Sequence, residues 1–340
     1  MPGLETILAG VLFAAIVIYA LLGGADFGGG MWDLLASGPR ARRQRIAIEA
    51  AIGPVWEANH VWLILAVVLL FTAFPPAFAA MMTALHIPIT LVLIGVVLRG
   101  SVFVFRKYDA QDDAIHRRWS TLFGVASVLT PFLQGVVIGA LASGEIRVAD
   151  GTVTSGFFAG WLTPFALACG LFAQGLFAFL AAAYLTQDTA GDRELQEDFR
   201  LRALLSGLSL APAAALVFFI ARDHAPLIFQ GLTSWWAPLL LAATSVCALA
   251  ALAGLWLRRY RLARLAAAGQ VACIIAGWGL AQYPYLIVPD VTYAATAAPQ
   301  ITLRLVSMGL AAGALLLIPS LAYLVWIFKL RGNALDVAEG

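Results

Sequence analysis

The sequence predicts an all-α integral membrane protein, because its composition and its long apolar runs exceed what a soluble core requires. Of the 340 residues, 62% are hydrophobic and 12% are charged, whereas a soluble globular domain is about 45–50% apolar and about 25% charged. The net charge is only +2 and the basic residues do not gather on a soluble segment, so nucleic-acid binding is not expected. The three cysteines, Cys169, Cys247 and Cys273, lie in apolar runs without a CxxC spacing. We therefore predict neither a disulfide framework nor a metal site.

Nine segments are long and apolar enough to cross a bilayer, since a spanning helix needs about 20 mostly apolar residues. In chain order the predicted spans are 5–34, 50–72, 77–105, 119–142, 158–186, 202–221, 235–257, 262–286 and 303–328. The first and fifth are long enough to tilt or to extend beyond the bilayer. No long soluble segment separates the nine runs, so we predict a single multi-pass membrane domain over residues 1–340.

The connections between these spans alternate in charge, which predicts the orientation of the chain. Seventeen of the 21 basic residues lie in the first, third, fifth and seventh connections and in the tail, whereas the alternate connections and the start of the last span hold three. Because cytoplasmic loops carry the excess of Lys and Arg, the N-terminus is predicted outside and the C-terminus in the cytoplasm. The acidic stretch "QDTAGDRELQEDFR" at 187–200 is predicted to be a solvated cytoplasmic connection.

Four ionisable residues within the first three spans are candidate functional groups, because charges inside a membrane are costly and usually face a bundle interior. From the helical rise, Asp26 lies roughly 12 Å from the cytoplasmic end, Glu57 about 10 Å, His60 about 15 Å and Arg99 about 9 Å. All four are thus expected in one slab on the cytoplasmic side. The glycines around Asp26, in "GGADFGGG", are expected to permit close helix approach or local unwinding.

Several roles are open for these residues. Glu57 and His60 are three residues apart on one helix face, so they are candidates for a proton relay. Arg99 is expected to compensate the charge of Asp26 or Glu57, or else to extend towards the cytoplasmic headgroups. His86 is expected near the midplane, and with His60 it forms a candidate pair of haem ligands, although an ordinary apolar-helix role is favoured.

Five motifs resemble subunit II of the cytochrome bd quinol oxidases, from the first predicted helix to the last. They are "GADFGGGM" at 24–31, "PVWEANHVWLI" at 54–64, "RGSVFVFR" at 99–106, "QGVVIGALASG" at 134–144 and "YPYLIVPDVTYAATA" at 283–297. The first two are the most specific. In "WEANH", Glu and His replace the Asp and Gln of other members, which resembles the branch called cyanide-insensitive quinol oxidase.

The resemblance implies two four-helix bundles plus one peripheral helix, paired with a haem-bearing subunit I in the bacterial inner membrane. It further implies that subunit I ligates two b-type haems and one d-type haem and oxidises quinol, while oxygen is reduced to water with cytoplasmic protons. The resemblance also implies that subunit II supports assembly and lines part of a proton route, in which Glu57 takes the place of the acidic residue and Asp26 lies beside the entry. Some subunit II chains hold a quinone, and some complexes include a small single-helix accessory subunit.

Three other interpretations fit the same residues. A proton-coupled secondary transporter would use the same acids, although no inverted repeat is evident. A stand-alone haem protein would use His60 and His86. A scaffold for subunit I would leave the acids without a part in catalysis.

Overall fold

The computed structural model describes residues 3–108 and 113–325, apart from the side chains at 54, 57, 103–108, 113–117, 318, 321–322 and 324–325. This part of the chain is helical, with two short hairpins. The helices are Leu4–Leu34 (α1), Ala41–Ala73 (α2), Pro75–Ala84 (α3), His86–Tyr108 (α4), Asp113–Ser143 (α5), Pro164–Asp188 (α6), Arg193–His224 (α7), Pro226–Leu232 (α8), Ala237–Trp256 (α9), Tyr260–Gln282 (α10) and Gln300–Val325 (α11). Strands Val148–Ala149 (β1) and Thr152–Val153 (β2) pair antiparallel, as do Tyr285–Ile287 (β3) and Val291–Thr292 (β4).

Helix α1 lies in the middle of the molecule and packs against α2, α5 and α6. Helix α6 packs in turn against α7 and α10, while α11 packs against α1 and α2. The approach of α1 to α6 requires a glycine, because a Cβ at Gly28 would overlap the carbonyl oxygen of Phe177. Helix α1 continues without interruption through residues 23–30. The glycine run therefore serves close approach, and the alternative expectation of local unwinding was wrong.

The expected third span, 77–105, is two helices that meet at Leu85 with a bend of 90°. Pro88 has no N–H to donate to the carbonyl of Ala84, so the helical ladder cannot run unbroken across this point. Helix α3 rises only about 15 Å over its ten residues, too little to cross a hydrocarbon core of about 30 Å. In the described part of the chain, seven helices have the length and composition of a span, and two bent pairs raise the number to nine if each pair counts as one.

Several further predicted boundaries were wrong: α2 and α7 each begin nine residues before the predicted spans, which start at 50 and 202. The fifth span begins at Pro164 instead of residue 158, because Thr163 caps the helix by accepting the Ala166 N–H at 3.1 Å and proline suits the first helical turn. The eighth ends at Gln282 instead of residue 286, because Pro284 cannot continue a helix. The residues that follow enter strand β3.

At the end of the bundle where α2 and α7 begin, arginines pair with the acidic stretch. Arg40 donates to both carboxylate oxygens of Asp198, at 2.8 and 2.6 Å. Arg43 contacts Asp192 at 2.5 Å and Glu194 at 2.7 Å. The expectation of a merely solvated connection was therefore wrong for this stretch, since α7 begins at residue 193 and its first acids tie it to α2.

At the opposite end, an ion pair joins the two hairpins. Arg147 donates to both carboxylate oxygens of Asp290, at 2.8 and 3.1 Å, and the Val148 N–H donates to the same carboxylate at 2.9 Å. The hydrogen bond from Arg147, with that from Val148 and the charge of the arginine, holds the pKa of Asp290 below its usual value, against the opposing effect of burial. The motif at 283–297 thus closes this end of the bundle.

We predict that Gly28→Ala destabilises the protein, because the added methyl group overlaps α6. Overpacking of a filled interior costs about 1–3 kcal/mol. Gly10→Ala is the matched control on the same helix, since a Cβ at Gly10 meets no atom within 4 Å. The melting temperature of the detergent-solubilised protein should fall for Gly28→Ala only; equal melting temperatures would contradict the close approach.

We also predict that the contact between the hairpins weakens in acid. Because the folded-state pKa of Asp290 is depressed, its stabilisation is present above the unfolded value of about 3.9 and is lost as the pH falls through the lower folded value. Hydrogen exchange at the Val148 amide should show protection at pH 6 in the wild type and much less in Asp290→Asn. The same protection in both proteins at pH 6 would rule out this role for Asp290.

Candidate functional site

A buried ion pair between α1 and α4 forms the centre of the candidate site. Arg99 Nη2 lies 2.6 Å from Asp26 Oδ1, and Nη1 donates to Asp26 Oδ2 at 3.0 Å. Nη2 also donates to the backbone carbonyl of Asp26 at 3.1 Å. Asp26 is 1% exposed and Arg99 is 3% exposed. A two-point, charge-assisted contact of this kind fixes both the separation and the orientation of its partners.

The remaining faces of the guanidinium are also occupied. Arg99 Nε donates to Ser127 Oγ at 2.8 Å, and that hydroxyl donates to the Phe123 carbonyl at 2.7 Å. The guanidinium carbon lies 4.1 Å from the ring centroid of Phe27 and 5.0 Å from that of Phe123. Gly30 makes room for this arrangement, because a Cβ there would overlap Ser127 Oγ. The cation is thus held by α1, α4 and α5 together.

Asn59 on α2 lies beside the same carboxylate. Its Nδ2 is 3.5 Å from Asp26 Oδ2, at the outer limit of a hydrogen bond. The residue is fully buried, and its Oδ1 has no hydrogen-bond partner among the described residues. Since a buried polar atom normally has a partner, Asn59 marks a polar point in an otherwise apolar bundle.

His60 lines a small crevice that reaches the ion pair. The crevice has a volume of about 10 Å³ open to the centre of a water molecule, and is lined by Asp26, Ile52, Trp56, His60, Arg99, Gly100 and Phe123. His60 Nδ1 lies 2.5 Å from the carbonyl oxygen of Trp56. Because a carbonyl can only accept, Nδ1 carries the proton of this hydrogen bond. The other ring nitrogen, Nε2, is then the one that can gain or lose a proton.

The structure brings together three of the four residues predicted for the cytoplasmic slab. Asp26, His60 and Arg99 line one crevice, while the side chain of Glu57 lies outside the described residues. His86 is the first residue of α4, directly after the bend at Leu85, and not part of an unbroken third span as expected. Thirteen residues, about 20 Å of helix, separate it from Arg99. The proposed haem pair of His60 and His86 therefore loses its geometric basis.

Sequence reasoning missed four polar residues around the site. Ser127 and Asn59 contact the ion pair directly, and on the next turns Gln134 Nε2 donates to the Tyr19 hydroxyl at 2.5 Å. The sequence feature that could have identified these residues is their helical spacing. Tyr19 and Asp26 are seven residues apart on α1, as are Ser127 and Gln134 on α5. Each pair therefore shares one face of its helix. Among the described residues, no group of three or more His, Cys, Asp or Glu could hold a metal ion.

Comparison with known proteins gives one family. The sequence matches the family described as Cytochrome bd terminal oxidase subunit II over residues 4–328, which is nearly the whole chain. Both the helix with the buried aspartate and the helix with its arginine fall within the match.

Individual relatives agree with that match. The putative cytochrome bd menaquinol oxidase subunit II of Bacillus subtilis (strain 168) is 24% identical over 295 residues, 83% of each chain. The cytochrome bd-I ubiquinol oxidase subunit 2 of Escherichia coli (strain K12) is 30% identical over 193 residues, 56% of this chain and 49% of that protein. The structure of bd oxidase from Geobacillus thermodenitrificans has a TM-score of 0.76 at 23% identity, covering 96% of this chain and 98% of the matched chain. A likeness at that identity shows the fold.

We predict that Arg99→Ala sharply lowers the amount of folded protein in the membrane. The change leaves the Asp26 carboxylate buried without its cation, and breaking a buried pair in this way costs about 3–5 kcal/mol. The double variant Asp26→Asn with Arg99→Gln removes both charges and should recover most of the loss. Immunoblots of membranes and melting curves of the purified protein measure both effects.

Arg304→Ala is the control for that experiment, because Arg304 is an exposed arginine at the start of α11. It should leave the amount of protein unchanged. A double variant as unstable as Arg99→Ala would show that the charge balance is not what Arg99 supplies.

Proposed function

The chain belongs to the cytochrome bd terminal oxidase subunit II family, and from that premise we propose that it supports a haem-bearing partner subunit and lines a cytoplasmic proton route to it. Members of this family are subunits of a quinol oxidase complex of the bacterial cell membrane. The match over residues 4–328 replaces the transporter interpretation. Two relatives carry menaquinol and ubiquinol in their names, so the proposed substrate class is a quinol.

The proposed reaction of the complex consumes protons, which this subunit would deliver. Oxidation of two quinols releases four electrons, and reduction of one oxygen molecule to two waters consumes those electrons together with four protons. In the proposal the two b-type haems and the d-type haem lie in the partner subunit, where this electron transfer takes place. The residues of this chain hold and move protons, and their work is to carry them through an apolar bundle.

The observation that carries the proposal is the crevice in which a carboxylate, a guanidinium and an imidazole meet inside the membrane domain. Asp26, Arg99 and His60 line it together. Charged side chains without a function are disfavoured inside a membrane. On translocon-insertion scales, placing an Arg or Asp at the centre of a spanning helix costs about 2.5–3.5 kcal/mol. The site therefore retains its polar groups against a cost, which supports a functional role.

The groups in this crevice take different parts. Asp26 accepts from both ends of the guanidinium, so protonating it would break the pair and leave Arg99 buried without a counter-ion. We assign Asp26 and Arg99 to a fixed pair of charges that lines the route. In the proposal, His60 exchanges a proton at Nε2, and Glu57, one helical turn away in sequence, is the acid that loads it.

The finer architecture is proposed on the same footing. Helices α1, α2, α4 and α5 would form one four-helix bundle, α6, α7, α9 and α10 the second, and α11 the peripheral helix. The helix pairs that pack together support this division. The ion-paired end, with Arg40 and Arg43, would face the cytoplasm under the positive-inside rule, and the end with the hairpins would face outward.

We predict that Glu57→Gln slows oxygen consumption by at least about tenfold, since positioned proton-transfer groups contribute about 10²–10⁴-fold. The haem spectrum of the purified complex should stay unchanged, because the substitution keeps the size of the side chain. Quinol-driven oxygen consumption at constant haem content measures the effect. Glu145→Gln, at an exposed glutamate beside the hairpins, is the control and should match the wild type. Unchanged turnover in Glu57→Gln would leave the chain a scaffold.

A further inference from the structure

We propose that water and protons reach the crevice at Asp26 and Arg99 through a second cavity, whose mouth is the ion pair of Asp188 and Arg264. This inference rests on the proposed proton route and names its inlet. The second cavity is small, with a volume of about 20 Å³ open to the centres of water molecules. Its lining comes from four helices, α1, α2, α6 and α10: Ala25, Gly29, Ala51, Ile52, Val55, Ala181, Tyr184, Leu185, Asp188 and Arg264.

The charged residues of this cavity lie together where α6 ends. Arg264 Nη1 lies 2.7 Å from Asp188 Oδ1, and the two side chains are 25% and 28% exposed. The guanidinium carbon lies 4.9 Å from the ring centroid of Tyr184. A partly exposed ion pair contributes only about 0–1 kcal/mol. The pair can therefore separate at little cost, so it admits water and does not seal the cavity.

Ile52 is the wall residue that this cavity and the crevice share. Ile52 lines both spaces and is 2% exposed. It lies directly against the backbone of α1, since a Cβ at Gly29 would be 2.8 Å from Ile52 Cδ1. The cavity also reaches Ala25, the residue next to Asp26. A change in the position of one isoleucine would thus connect solution at Asp188 with the buried carboxylate.

The position of the inlet follows from the two openings. The crevice is bounded by α4 and α5 on one side, through Gly100 and Phe123, whereas the cavity is bounded by α6 and α10. The ion pair of the cavity, Asp188 and Arg264, is partly exposed, whereas the ion pair of the crevice, Asp26 and Arg99, is buried. Protons would then enter with water beside Asp188 and Arg264, pass Ile52 and reach His60.

The test is thiol labelling of the intact complex in inside-out membrane vesicles with Ag⁺, a thiol-reactive cation small enough for a space the size of a water molecule. Val55→Cys lines the cavity, whereas Ile48→Cys is seven residues nearer the start of α2, on the same helix face, and is buried outside both spaces. A filled apolar site suppresses both ionisation of a thiol and access to it. We expect Val55→Cys to react on the order of tenfold faster than Ile48→Cys. The parent protein, with its three native cysteines, gives the background.

A second measurement tests whether the cavity delivers the protons that oxygen reduction consumes. Ile52→Phe thickens the wall and should slow oxygen consumption several-fold at unchanged haem content. Ile48→Phe, which overpacks the same helix away from both spaces, is the matched control and should retain activity. Equal labelling of the two cysteines would overturn the inlet, even where Glu57→Gln behaves as proposed. Faster labelling of Val55→Cys with full activity in Ile52→Phe would also overturn it, because the cavity would hold water without feeding the site.

Discussion

The buried ion pair between Asp26 and Arg99 is the interaction on which the rest of the site depends. It joins α1 to α4 at a depth where neither charge is tolerable alone, so each residue makes the other necessary. A buried pair is not by itself a large source of stability, since desolvation offsets most of its attraction. Its consequence is specificity: only one arrangement of these helices satisfies both charges.

That constraint explains much of the local sequence. Helix α1 approaches α6 and α5 closely enough to enclose the pair only because Gly28 and Gly30 have no side chains. Ser127 and the rings of Phe27 and Phe123 then occupy the faces of the guanidinium that Asp26 leaves free. The same enclosure leaves one narrow crevice, in which His60 is the residue placed to exchange protons.

The sequence predicted the membrane class, most of the spans and the grouping of Asp26, His60 and Arg99, because apolar runs and helical rise indicate how far along its helix each residue lies. It did not predict the 90° bend at Leu85, since that depends on Pro88 and on the packing of α3, and the expected position of His86 within an unbroken span was wrong for this reason. It also left open which acid Arg99 meets, because neither hydropathy nor spacing reports how one helix is rotated against the next. Asn59 and Ser127 were missed for the same reason.

The central claim is that Asp26 stays an ionised partner of Arg99 while neighbouring groups carry protons. Infrared difference spectroscopy of the complex, oxidised minus reduced and over a range of pH, tests it most directly, with bands assigned by Asp26→Asn in the charge-balanced double variant that also carries Arg99→Gln. The account predicts no protonated-carboxyl band that disappears in the double variant under any of these conditions. A carboxyl band that titrates or follows the redox state in the wild type and is lost in the double variant would contradict it, because Asp26 would then itself be carrying protons.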